Sequence, residues 1–389
     1  MEQTVKVTPV EGYDIAVCGG GIAGIAAALA AARHGKKVVL LERQYMLGGL
    51  AIAGLITIYL PLCDGLGKQV SFGIAEELLK LSIKHGAEAR YPKNWLDGEG
   101  TRTENDQRYL VRYNAQVFAI LAEQLLIKEG VTILYGTYAV DVIKNGDRIE
   151  TLVVEGKSGR QGFRVDSVID ATGDCDIALF AGVPTDTFQK GNFLASWYYS
   201  AGENGYNLNQ LGCADPGQYN DPSIRTFSGV GDESLSEMMI LGHKKILDHF
   251  LKKRETDPSA WIATLPTVPL VRMSRKIRGE YSLAEAEVHK YFEDSIGMVS
   301  DWRKRGPVFE VPYRTLYSKA VKNLIIAGRC TSVEEDMWDI MRVIPCCAIT
   351  GQAAGTAAAM TDDFTALDIA ALQANLQKDG VILHEKDIP

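Results

Sequence analysis

The chain lacks the paired cysteines on which redox and metal sites are commonly built. Its seven cysteines are odd in number, no two are spaced as CxxC, and its six histidines find no cysteine or carboxylate at ligand spacing. The expectation is no metal site: zinc and iron-sulfur ligation are unsupported and dithiol chemistry is disfavoured, while unpaired thiols suit a reducing cytoplasm. Positive charge is also in short supply. The 41 Lys and Arg against 49 Asp and Glu leave a net charge of -8, which argues against a nucleic-acid partner, since neutralising phosphates needs a positive field. The local basic clusters Lys252-Lys253-Arg254 and Trp302-Arg303-Lys304-Arg305 read as solvated helix faces or ends. The first dozen residues are too polar for a secretory signal. Internal repeats and low-complexity tracts are absent as well.

One uncharged run stands out, the 18 residues from Ile15 to Ala32, long enough to be weighed as a membrane span. Its glycines and its charged flanks fit something else. Tyr13 to Glu42 reads as strand, glycine turn, helix, second strand and terminal acid in one unit. Ile15 to Cys18 supplies the strand. Gly19 permits the tight turn, Gly21 lets a pyrophosphate approach the backbone, and Gly24 allows the helix to pack closely on the sheet. Phosphates then sit on the helix N-terminus beside Ile22 and Ala23, held by amide donors and the helix dipole without a basic side chain. Gly35 ends the helix, Val38 to Leu41 forms the next strand, and Glu42 lies where it can accept from ribose hydroxyls.

Arg43 follows Glu42, and the doublet Gly48-Gly49 comes after four further residues. This extension resembles flavoproteins of the glutathione-reductase and succinate-dehydrogenase type, which bind extended FAD. Val168 to Asp174 is a strand running into Ala171-Thr172-Gly173, similar to the ATG element that passes the same pyrophosphate. Asn323 to Arg329 is another buried strand ending in Gly328-Arg329, followed by a helix from Pro345 to Met360. In the resembling families this segment closes over the flavin. Leu47 to Leu79, Val271 to Tyr281, Val311 to Cys330 and Arg342 to Ala359 together resemble a bacterial family of FAD-dependent oxidoreductases related to heterodisulfide reductase A subunits. The segment Glu334-Glu335-Asp336 departs from that family's pattern.

The resemblance implies FAD as cofactor. Val140 and Gly351 are added to the expected cofactor contacts. It also implies an α/β fold: a Rossmann-like FAD-binding domain of the glutathione-reductase type, assembled from residues 1–81, 114–181 and 307–361. An inserted α+β substrate or cap domain takes residues 182–306, and residues 362–389 form a tail with a short amphipathic helix from Leu367 to Leu376 docking on the outside. Within this frame, Asn114 to Lys128 has helical periodicity and Val131 to Val142 reads as one strand passing near the adenine. Thr151 to Glu155 and Gly162 to Val165 make a hairpin, Phe193 to Tyr199 is strand-like, and Glu237 to Arg254 is helical.

The stretch after Gly49 has no CxxxxC pair, a second GxGxxG unit is missing, and no histidine lies between Gly35 and Lys84 to link a flavin covalently. Electrons are therefore expected to pass through FAD to and from a diffusing donor or acceptor, with a small-molecule substrate. No membrane span is expected, and self-association is left open. Cys346 and Cys347 sit at the start of the Pro345 helix, where a thiol pKa is expected to fall. The alternative is that both are buried filler. Asp174 reads as a cofactor neighbour and Asp176 as a helix cap. Arg272 and Arg275 match the family pattern and Arg278 does not. If Leu270 to Tyr281 is extended, Arg272 and Arg275 face opposite ways, and either is a candidate clamp for an anionic substrate. The function that follows is hydride transfer between flavin N5 and a small organic substrate. A non-redox escort protein on the same fold and a tRNA-modifying flavoprotein are the alternatives.

Overall fold

Strands buried on both faces read as continuous apolar runs, and those of this chain assemble into one parallel sheet. In the computed structural model, which describes residues 4–60, 62–85, 111–203, 205–212 and 225–388, five strands lie in the order Leu324–Ile326, Ser167–Asp170, Ile15–Cys18, Val38–Glu42 and Thr132–Tyr135. Residues 1–3, 61, 204, 213–224 and 389, which fall in the expected domain pieces, lie outside that description. Successive side chains of a strand face opposite ways. Ile15, Val17, Val38, Leu40, Ile169 and Ile325 accordingly join one core, among helices. Ala16, Cys18, Val39, Leu41, Val168 and Ile326 join another, against a smaller sheet. That smaller sheet has the order Thr8–Val10, Gly159–Phe163, Arg148–Gly156 and Tyr138–Asn145.

Two helices on the first face, Ile22–Arg33 and Ile344–Met360, meet through small residues. A Cβ on Gly351 would lie 2.3 Å from the Ala23 carbonyl oxygen, and one on Gly355 would lie 2.1 Å from that of Ala27. The backbones are therefore close enough that only glycine fits. Thr350 and Thr356 return their hydroxyls to the carbonyls of Cys346 and Gln352, while the Gln352 side chain accepts from Ile74 N at 2.8 Å, so the polar side chains of this buried helix find partners within it and on its neighbours. Among the described residues no single helix is long and apolar enough to cross a membrane.

Between the sheet strands ending at Asp170 and beginning at Leu324, the chain builds separate short pairings. Thr185–Thr187 pairs with Arg275–Ile277, and Asn192–Phe193 pairs with Thr226–Phe227. Ser196–Ala201 is flanked by Asn207–Leu211 and Trp261–Thr264. The long helix Asp232–Thr256 packs on that three-stranded sheet, extending the expected helix at both ends.

Several boundaries differ from expectation. Val131 to Val142 is two strands in two sheets, because Gly136 at φ +60° turns the chain between them. The strand expected from Phe193 to Tyr199 breaks at Leu194–Ala195. Of Leu270 to Tyr281 only Arg275–Ile277 is a strand. Ser295–Ser300 pairs as a hairpin with Val308–Pro312. The tail helix, Ile369–Lys378, docks through Leu372 and Leu376, which are fully buried in the same core as the Ile22–Arg33 helix.

Candidate functional site

The glycine turn separates into residues that serve packing and one that serves a ligand. Gly19, at φ +103°, would place a Cβ 2.5 Å from the Ala171 carbonyl oxygen, and Gly24 would place one 1.8 Å from that of Gly19. Both are required by protein against protein, and Gly24 does not line the cavity described below. Gly21 differs: a Cβ there meets nothing within 4 Å, and the residue lines the cavity. It is the N-cap of the Ile22–Arg33 helix with no side-chain cap, so the first-turn amides beside Ile22 and Ala23 remain for a ligand. The Gly48-Gly49 doublet closes over this turn. Gly48 N donates to Gly20 O at 2.8 Å, and a Cβ on Gly49 would stand 3.2 Å from Gly21 Cα. An open, anion-binding notch walled by glycines is what a dinucleotide pyrophosphate requires.

Glu42 is buried, and both its oxygens receive backbone amides, Gly20 N and Gln44 N, each at 2.7 Å. Burial raises its pKa. The carboxylate thus braces the glycine turn while lining the cavity, with lone pairs remaining for a ribose. Arg43 lines the cavity too. Val140 does not; the strand bulges between Ala139 and Asp141, and Thr137, Tyr138 and Ala139 face the cavity instead.

The Ala171-Thr172-Gly173 turn forms another wall. Asp170, fully buried beneath it, accepts from Thr172 Oγ1 at 2.6 Å and from Ala178 N at 3.0 Å, and its pKa is raised by burial. Asp174 accepts from Ser274 Oγ at 2.6 Å. Asp176 is not the helix cap: Cys175, at φ +56°, takes that position, and Asp176 is the first residue of the short helix Asp176–Phe180. Burial and the neighbouring Asp174 raise the Asp176 carboxyl to about 6. Gly328 and Arg329 also line the cavity. Gly328 N donates to Thr350 Oγ1 at 3.0 Å, and Arg329 Nη1 donates to Val271 O at 2.9 Å, pinning this wall to the segment that carries Arg272.

These pieces converge on one cavity of about 1160 Å³, large enough for a dinucleotide and a small co-substrate. Beyond the cradle it is lined by Trp197, Gln210, Leu265, Arg272, Trp302 and Arg342, and by Val343, Ile344 and Cys347 at the start of the second helix. The Arg272 guanidinium sits 5.3 Å from the Trp197 ring and is buried. Arg275 is absent from this lining. Its Nη2 donates to Asp176 at 3.1 Å, and Arg278 pairs with Asp186 at the surface. The Arg275 alternative for the clamp is corrected on that ground. Gly351 is likewise a helix-crossing residue and not a cofactor contact.

Cys347 lines the cavity, but burial pushes its thiol up to about 12, the reverse of the fall expected at a helix N-terminus. Burial raises the Cys346 thiol as well. At Cys347 loss of solvent outweighs the nearby Arg329 and Arg342 guanidiniums, which act to lower its pKa. Trp302 and Arg342 were not anticipated. Trp302 stands in a basic cluster that lies in a turn and not on a helix; Arg303 pairs with the buried Asp301 and with Glu285, and the indole lines the cavity. Arg342, immediately before the second helix, lies 5.6 Å from that indole and is held by Asp339. Its position next to a helix start was the available signal.

A parallel sheet with a glycine cradle at a helix N-terminus, a second helix start on the same cavity and a braced acidic residue define a nucleotide-binding flavoprotein. The chain belongs to the family of FAD dependent oxidoreductases, matched over residues 14–196 and 210–376. FAD is its cofactor and it is an oxidoreductase enzyme. It is similar to thioredoxin reductase of Ureaplasma parvum serovar 3, with 33% identity over 73 residues, 19% of this chain and 24% of that one. The match spans about a quarter of that relative. Among solved structures it is similar to a geranylgeranyl bacteriochlorophyll reductase-like protein from Thermoplasma acidophilum, at 12% identity over 96% of this chain and 83% of that one with a TM-score of 0.46. It is also similar to the OxyS anhydrotetracycline hydroxylase from Streptomyces rimosus, at 12% over 94% and 65% with 0.47, and to the flavin-dependent brominase Bmp2, at 11% over 95% and 83% with 0.49.

Proposed function

We propose that this enzyme moves a hydride between the N5 atom of FAD and a small organic anion held by Arg272. The observation that supports it is the placement of a buried guanidinium, resting on Trp197, in the same cavity as the Gly21 cradle. When bound, FAD supplies the hydride donor or acceptor, and the chain's own groups bind and orient. Gly21 and the amides beside Ile22 and Ala23 hold the pyrophosphate, and Glu42 keeps the turn in shape. Arg272 grips a carboxylate with charge-assisted hydrogen bonds, and the uncapped Ile344 amide with the positive end of its helix would favour negative charge on the cofactor. The fold is read as glutathione-reductase-like. Residues 182–306 act as the cap on an FAD domain made of 1–81, 114–181 and 307–361, with 362–389 as the tail, and the enzyme works in the cytoplasm with a diffusing electron partner. Membership in an oxidoreductase family sets aside the non-redox escort reading.

Replacing Arg272 and Arg275 separately by methionine tests the assignment. A charged hydrogen bond contributes about 1.5–3 kcal/mol, so Arg272→Met should slow substrate-dependent flavin reduction by roughly 10- to 100-fold with flavin content preserved. Arg275→Met should leave those kinetics alone and lower thermal stability, because its partner is Asp176. Unchanged reduction in Arg272→Met rejects the clamp.

A further inference from the structure

The helix Asp232–Thr256 has 25 residues, a length of roughly 37 Å at 1.5 Å per residue. One face is spoken for: Met238, Gly242 and Ile246 are buried, with Gly242 set against Ser196 of the three-stranded sheet. On the opposite face Ile240, Leu247 and Leu251 are 66%, 50% and 54% exposed. Their spacing of seven and four puts them in a single stripe, with Lys244 in the same row and ion-paired to Asp248. A charged surface helix does not need three large aliphatics aligned in water, and such a stripe is the pattern of a helix that packs on another.

The charges along this helix select the partner. Its first turns carry Asp232, Glu233 and Glu237, the last held by Arg225, and its end carries Lys252 and Arg254, with Glu255 beside them and Lys253 turned to Ser200 of the sheet. A second copy packed parallel would set like charges side by side. Packed antiparallel, it sets the acidic end of each helix beside the basic end of the other and opposes the two helix dipoles favourably. An anionic lipid surface lacks this match, because the acidic half would be repelled.

We propose that this face is a self-association surface, on which two copies pack antiparallel about a two-fold axis near residues 245 and 246. Ile240 of one copy then lies against Leu251 of the other, the Lys244 stem covers Leu247, and Lys244 comes within reach of Asp248 of the second copy. Such a contact is isologous, as a two-fold requires. A single helix pair buries less than a standard interface, so the association is expected to be weak and reversible, with a dissociation constant on the order of micromolar taken as the working scale.

Sedimentation equilibrium of the flavin-loaded full chain from about 0.5 to 100 μM, a range chosen to span that constant, tests the proposal. A dimer is expected, weakened by salt. Leu247→Glu should raise the dissociation constant at least tenfold while flavin content and turnover stay unchanged, since Leu247 does not line the cavity. Leu251→Gln provides a second, milder variant, and the charge reversal Lys252→Glu with Arg254→Glu should weaken the dimer and be partly rescued by Glu237→Lys, which the two-fold sets opposite residue 254. A wild-type monomer across the range overturns the proposal, as does a dimer indifferent to all these variants. Stripe-dependent flotation with anionic phospholipid vesicles in place of self-association overturns it too.

Discussion

Gly21 is distinguished from Gly19 and Gly24 by what a side chain would meet. Those two would drive a Cβ into carbonyl oxygens, whereas Gly21 opens onto the cavity in an extended conformation that any residue adopts. Gly21→Val should therefore yield a folded apoprotein that binds no FAD, measured by flavin absorbance after purification and by titration; full occupancy would contradict the steric account. Cys347→Ser should keep most of its turnover, because a thiol held up to about 12 is protonated at neutral pH and poor as a nucleophile. Lost turnover with normal flavin content would make the thiol chemical. Residues of the glycine turn were legible in the sequence because their demand is local, one missing Cβ at one bend. Arg272 and Arg275 were not separable there: Arg275 is claimed by Asp176, 99 residues away, and no spacing within Val271 to Tyr281 announces that partner. Trp302 was hidden for a related reason: it lines the cavity, while its neighbour Arg303 is claimed by Asp301 and Glu285.

Elements read well wherever one period ran unbroken, as in Ile15–Cys18, Ile22–Arg33, Ala115–Lys128 and Ile344–Met360. They read poorly where a single apolar stretch served two layers, as when Gly136 hands the chain from the parallel sheet to the smaller one. The crossing of the Ile22–Arg33 and Ile344–Met360 helices matters most at this scale, because it presents both helix starts to one cavity. Gly351 and Gly355 permit that crossing, and the atoms a side chain would strike are backbone oxygens that no rotamer change can move. Gly355→Leu should cost about 3 kcal/mol or more, as overpacking of a rigid core does. The check is a thermal melt of the apoprotein beside the wild type, with a fall of several degrees expected. A wild-type melt would mean that the helices separate more easily than their packing indicates.

Across the whole molecule, residues 362–388 are woven into the main core. Leu372, Leu376, Val381 and Leu383 are buried in the cluster that also holds the cradle helix. Gln373 Nε2 donates to Glu293 O at 2.8 Å and to Ser295 O at 3.0 Å, and His384 Nδ1 lies 2.9 Å from the buried Glu310 carboxylate. Sequence pattern identified an amphipathic helix here but could not weigh its burial, since the surfaces that receive it come from Ser295–Ser300 and Ile344–Met360. Losing a buried leucine costs about 2–5 kcal/mol, so removing four such side chains together costs on the order of 10 kcal/mol. That is comparable to the entire stability of a typical fold, about 5–15 kcal/mol. A chain ending at Thr361 should accordingly fail to melt cooperatively, lose its near-ultraviolet circular dichroism, bind a hydrophobic dye and hold no flavin. A truncated chain that melts as one cooperative unit with full FAD occupancy would show the tail to be an accessory segment, and the core of the enzyme would then have to be complete without Leu372 and Leu376.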